Sequence, residues 1–153
     1  MLMYAAPQLE VKAYSKFNKQ EFINKAENFY PFLYQYIKYN QFVKHNYPVV
    51  ERYTIEGDSF LPQHVSVLKK EFKIKACFLG SSNLPPEILL ENPSKNDWWI
   101  KKLTSKQLRD LCEWIMEMSN FLKNECKTHK LAYFDLAKNH HKQIETAYRY
   151  LLT

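Results

Sequence analysis

Apolar positions recur first at helical spacing and then in short runs separated by turn residues. Asn18, with Glu21 three residues on, has the form of a capping box. From there Phe22, Ala26, Phe29, Leu33, Tyr36 and Ile37 repeat with a helical period. The pattern predicts a helix that ends by about Asn46, before Tyr47-Pro48, with Pro31 kinking it or splitting it in two. Residues 1–17 have little periodicity, contain Pro7 and read as extended or irregular.

Residues 49–55 form a short β-rich run closed by the turn signal Glu56-Gly57-Asp58. Pro62 suits the first turn of a helix reaching about Phe72, with Val65 and Leu68 facing inward. A second apolar run, 74–79, stops at Gly80-Ser81-Ser82-Asn83. The stretch 83–103 carries Pro85, Pro86 and Pro93 and reads as a long loop, of the kind that often serves as a lid. Thr104 and Gln107 make a second capping box. Leu108, Leu111, Cys112, Ile115, Ser119 and Leu122 then mark one face of the longest helix. A third strand at 131–134, a loop at 135–139 and a helix carrying Ile144, Ala147, Tyr148 and Leu151 close the chain.

This alternation predicts an α/β fold with a parallel sheet and right-handed crossovers. Residues 1–48 would be a helical, aromatic-rich segment and 49–153 a βαβαβα unit. Ligands of such sheets bind outside the carboxyl ends of the strands, so 56–59, 80–83 and 135–139 become the candidate site. The chain's only two glycines, Gly57 and Gly80, lie on that edge. Each either ends a strand or lets the backbone approach a ligand closely.

Composition narrows the class. The chain has 153 residues, 46% of them hydrophobic and 25% charged, which suits a single globular domain with a real core. Aromatics reach 16% and concentrate between Tyr4 and Tyr53. A net charge of +6 points to an anionic partner: a phosphorylated small molecule, nucleic acid or a membrane surface. The basic residues are scattered, the densest pairs being Lys69-Lys70 and Lys101-Lys102, a pattern that equally fits a solvated surface. Cys77, Cys112 and Cys126 form no CxxC pair, which argues against a disulfide framework and for a reducing compartment. Cys126-x-x-His129 with His140-His141 offers no obvious closed zinc site. No apolar run approaches the ~18 residues of a membrane span, and the expected setting is the cytoplasm.

Glu56 and Asp58 are two carboxylates at the end of an apolar run. One could hold Mg²⁺ while the other orients or deprotonates a hydroxyl, or they could be turn carboxylates capping the helix near Pro62. The segment Ile55-Glu56-Gly57-Asp58-Ser59-Phe60-Leu61-Pro62 resembles the third-strand segment of P-loop kinase-like NTPases, the group that takes in 2-phosphoglycerate kinase-like proteins and AAA-family ATPases. Lys75-Ala76-Cys77-Phe78-Leu79-Gly80, Asn96-Asp97-Trp98-Trp99-Ile100, the long helix and Tyr133-Phe134-Asp135 are similar to later parts of that fold, over about residues 49–152. The resemblance implies an ATP-dependent small-molecule phosphotransferase. It makes Asp58 the residue near Mg²⁺ and Glu56 and Asp58 the acidic pair, with Gly57, Ser59 and Gly80 beside the nucleotide. It makes Lys95, Lys101, Lys102 and Arg109 the lid cations, and sets Ala137, Lys138 and Asn139 near the adenine.

One departure matters. A phosphate-binding loop, GxxxxGK(S/T), cradles phosphates with its backbone N–H groups, yet no glycine precedes Gly57. Three expectations follow: a domain that begins after the loop, a degenerate relative that binds anions or nucleic acid without catalysing, or an interaction subunit completed by another chain. The aromatic and basic segment 12–44 could hold a single strand by stacking, although such a stripe more often packs a core. An incomplete sheet would expose edges and apolar surface, so the product is expected to self-associate or to be poorly soluble when expressed alone.

Overall fold

The computed structural model describes residues 19–46, 54–57, 59–91 and 100–153. Their elements are α1 (Lys19–Asn46), α2 (Pro62–Glu71), β1 (Cys77–Gly80), α3 (Pro86–Glu91), a 3-10 turn (Ile100–Lys102), α4 (Ser105–Thr128), β2 (Ala132–Asp135) and α5 (His140–Leu152). The chain is mostly helical, around a small parallel sheet in which Cys77 pairs with Ala132 and Gly80 with Asp135.

α4 is built as its sequence dictates. Thr104 Oγ1 accepts from the Gln107 N–H while the Gln107 side chain accepts from the Thr104 N–H, a closed capping box. Leu108, Leu111, Cys112, Met118, Ser119 and Cys126 are buried along one stripe, which packs on both strands. Val65, Phe78 and Cys126 form the core there, closed by Phe60, Leu122, Leu131 and Tyr133.

The turn from α4 into β2 is a Schellman motif. Leu131 N–H bonds to the Cys126 carbonyl at 2.8 Å, and Lys130 N–H reaches the Lys127 carbonyl at 3.4 Å. Lys130 holds φ 54°, the left-handed conformation that glycine usually supplies at this position.

α1 lies along α2 with both helices running the same way. Glu27 meets His64 at 3.0 Å, and seven residues further Tyr34 Oη donates to Glu71 at 2.7 Å. The His64 ring is buried and stacks on Tyr30, centroids 4.3 Å apart. Along the same seam Leu33, Ile37 and Leu68 are buried against Tyr30, Tyr34, Phe60, Phe72 and Ile74.

Four expectations need correction. Of the two outcomes expected at Pro31, a split does not occur: α1 runs unbroken through it, with the proline exposed and buried Ala26, Leu33 and Ile37 anchoring the helix on both sides. The first strand, expected over 49–55, lies outside the described residues up to 53; 54–57 are exposed and belong to no strand, since Glu and Gly are poor strand formers and Ile55 reaches no core. Pairing in β1 begins at Cys77 rather than Ile74. The loop expected over 83–103 contains α3 and the 3-10 turn, because Pro86 is a favourable first residue for a helix. No helix among the described residues is long and apolar enough to cross a membrane.

Replacing Lys130 with glycine is expected to raise stability by ~0.5–1 kcal/mol, by relieving the left-handed strain, as measured by urea denaturation. An unchanged or lower midpoint would contradict this reading of the turn.

Candidate functional site

The carboxyl edge of β1 and β2 is where the fold gathers polar groups. Parallel register sets Gly80 beside Asp135, and Gly80 O accepts from the Leu136 N–H at 2.8 Å, which extends the ladder by one bond. Asp135 is buried, and its Oδ1 accepts from Ser82 N–H at 3.0 Å and Ala137 N–H at 3.2 Å. Lys123 Nζ lies 3.9 Å from Oδ2. Burial alone would push this carboxyl up, but the hydrogen bonds from Ser82 and Ala137 and the Lys123 charge outweigh it and hold the pKa below the usual range.

Ser119, a polar residue on the apolar stripe of α4, completes the knot. Its Oγ donates to the Ile115 carbonyl at 2.7 Å and accepts from Ser81 N–H at 2.9 Å. The Gly80 position has no room for a side chain: an added Cβ would lie 2.3 Å from Tyr133 Oη and 2.9 Å from Ser119. The Tyr133 hydroxyl is buried beside Ser119 and, among the described residues, has no partner in good hydrogen-bonding geometry. Its pKa is pushed up to about 12, by burial first and the Asp135 charge next.

The residues expected from sequence are only partly brought together. Gly80 is on this edge, and Lys138 follows in the turn after β2. Asn139 caps α5, its Oδ1 accepting from Lys142 N–H at 3.1 Å. Glu56 and Gly57 are exposed, and the hydrogen side of Gly57 faces the Phe60 ring. Ser59 is buried. Asp58 and Lys95 lie outside the described residues.

The lid cations fall elsewhere. Lys101 and Lys102 are exposed on the 3-10 turn. Arg109 lies ten residues before Ser119, about 15 Å along the helix. It lines two adjoining clefts of about 240 and 390 Å³, walled by Pro86 with Leu84 and Met116 in one and Leu90 and Leu108 in the other. Glu113 lines the first of these clefts too and Glu87 the second.

No family model, curated protein or solved structure matches this chain. The reading of the site therefore rests on its own geometry. Asp135 Oδ1 is already doubly engaged and Oδ2 faces Lys123, while the Ser81, Ser82 and Ala137 N–H groups are spent on side chains of the same knot. Among the described residues no group of three or more His, Cys, Asp or Glu converges on a metal position. The thiol of buried Cys126 is raised to about 12, chiefly by burial, which makes it an inert core group.

Sequence reasoning missed Asp135 and Ser119 as the organising residues. A signal existed for each: a carboxylate directly ending an apolar strand, and a serine in register with the buried stripe of α4.

Two outcomes follow. Gly80→Ala is expected to lose about 1–3 kcal/mol by overpacking, Tyr133→Phe to be near neutral because it deletes an unpaired buried hydroxyl, and the double variant to regain part of the loss in urea melts. Additive losses would mean Tyr133 is not what fills the space. For Asp135 the folded pKa lies below the unfolded one, so its stabilisation is complete above about pH 4 and fades as pH falls through the depressed value. The stability gap between wild type and Asp135→Asn should close over that acid range.

Proposed function

We propose that this chain is an interaction subunit of an α/β assembly, which works by docking rather than by carrying phosphoryl transfer at the β1–β2 edge. The observation that carries the reading is on α1. Away from the face that packs on α2, this helix exposes Phe32, Tyr36, Tyr39 and Phe42, with Phe29 at the margin, where its ring also packs on Phe60 at 6.3 Å between centroids. Contiguous apolar surface of this size marks a docking surface more often than a solvated one. The edge where a ligand was expected supports the same reading, since the Ser81, Ser82 and Ala137 N–H groups there are taken up by Ser119 and Asp135.

A second reading keeps the P-loop kinase-like relationship: an ATP-dependent small-molecule phosphotransferase. In its favour, Gly80 and Asp135 stand side by side at the carboxyl ends of parallel strands, the usual position for ligands of such sheets. Against it, the sequence contains no GxxxxGK(S/T) run to cradle phosphates.

Calorimetric titration with Mg·ATP separates the two. The docking reading expects no saturable binding by the purified chain. Saturable binding that disappears in Asp58→Asn would favour the phosphotransferase and sink the docking reading.

A further inference from the structure

We infer that the exposed aromatic face of α1 pairs with the same face of a second copy of this chain, the two helices antiparallel about a two-fold axis. The inference rests on the reading of α1 as a docking helix and names its occupant. Phe29, Phe32, Tyr36, Tyr39 and Phe42 are 42%, 72%, 53%, 64% and 63% exposed. At about 200 Å² per ring these exposures leave roughly 600 Å² of aromatic surface per copy, close to the ~800 Å² that each partner contributes to a stable interface.

The row is self-complementary, as a two-fold interface requires. About a centre between Gln35 and Tyr36, Phe29 falls opposite the second copy's Phe42 and Phe32 opposite its Tyr39, while Tyr36 meets Gln35. Each aromatic ring beyond the centre thus finds an aromatic ring.

Charge favours a second copy over a nucleic-acid strand. Between Asn28 and Val43 the helix carries a single charge, Lys38, which falls at the flank of the ring row, more than 100° from its centre on a helix of 3.6 residues per turn. A groove for single strands lines its rings with cations that neutralise phosphates. A charge-free strip is instead the surface on which two chains of net charge +6 meet with least repulsion. Association of like-charged copies strengthens with salt, whereas oligonucleotide binding weakens with it.

Sedimentation velocity over a concentration series tests this. Wild type is expected to dimerise at micromolar concentration, more tightly at high salt. Phe32→Glu and Tyr39→Lys should each weaken the dimer by at least about tenfold. Because these side chains point to solvent, the variants' far-ultraviolet circular dichroism should match wild type, as should their melting at concentrations below those at which wild type dimerises. Mixing the Phe32→Glu and Tyr39→Lys chains should restore a dimer, since antiparallel register sets those two positions against each other.

A wild-type chain that stays monomeric at tens of micromolar overturns the inference, as does salt-sensitive oligonucleotide binding by a monomer that is lost in Phe32→Glu. Neither result alters the Mg·ATP titration, which judges the docking reading separately. Dimerisation that both substitutions leave intact also overturns it.

Discussion

The close approach at Gly80 is the contact on which the α/β part of this molecule depends. With no side chain on Gly80, the Tyr133 hydroxyl and Ser119 of α4 can sit against the end of β1. Strand, neighbouring strand and crossover helix therefore meet at one point. The hydrogen bonds that follow from this approach, Ser81 to Ser119 and Ser82 to Asp135, turn the chain away from the sheet along α4. Leu84 N–H then reaches Met116 Sδ at 3.3 Å, one turn nearer the start of the same helix. The position of α3 and of the Arg109 clefts is set by that path.

What was legible in the sequence was local. Thr104 with Gln107 announces the start of α4 because a capping box closes within four residues, and the stripe from Leu108 to Leu122 announces its buried face. Pro62 marks α2 just as locally, because a proline's fixed φ suits the first helical turn. What escaped depends on partners remote in sequence. The β-rich run before Gly80 is visible, but its paired part begins at Cys77, where Ala132 is opposite. The three prolines of 83–103 read as loop although Pro86 starts a helix. Glu56 and Gly57 carry a turn signal, yet nothing local says that they stay exposed and outside any strand. Asp135 and Ser119 become a centre only once α4 crosses the carboxyl edge, a tertiary event that spacing along the chain does not encode.

Within α1 the aromatic side chains divide between two faces. Tyr30 and Tyr34 serve the interior beside Leu33 and Ile37, tied by His64 and Glu71. Phe32, Tyr36 and Tyr39 do not. Counting aromatics could not separate these groups, since both recur at intervals of three and four residues. Only the direction of α2 relative to α1 decides which face is inside.

That division makes α1 a thermodynamic reporter for the rest of the chain. It is held by a narrow apolar seam, with its polar clamps at one end partly open to water, so its docking is expected to be weaker than the closure of α4 on the strands. Whatever binds only the docked form adds its own binding free energy to that seam by mass action. With a second copy on the aromatic face, as proposed, the fraction of time α1 spends against α2 would depend on concentration, and the rigidity of the helix would belong to the assembly as much as to the single chain.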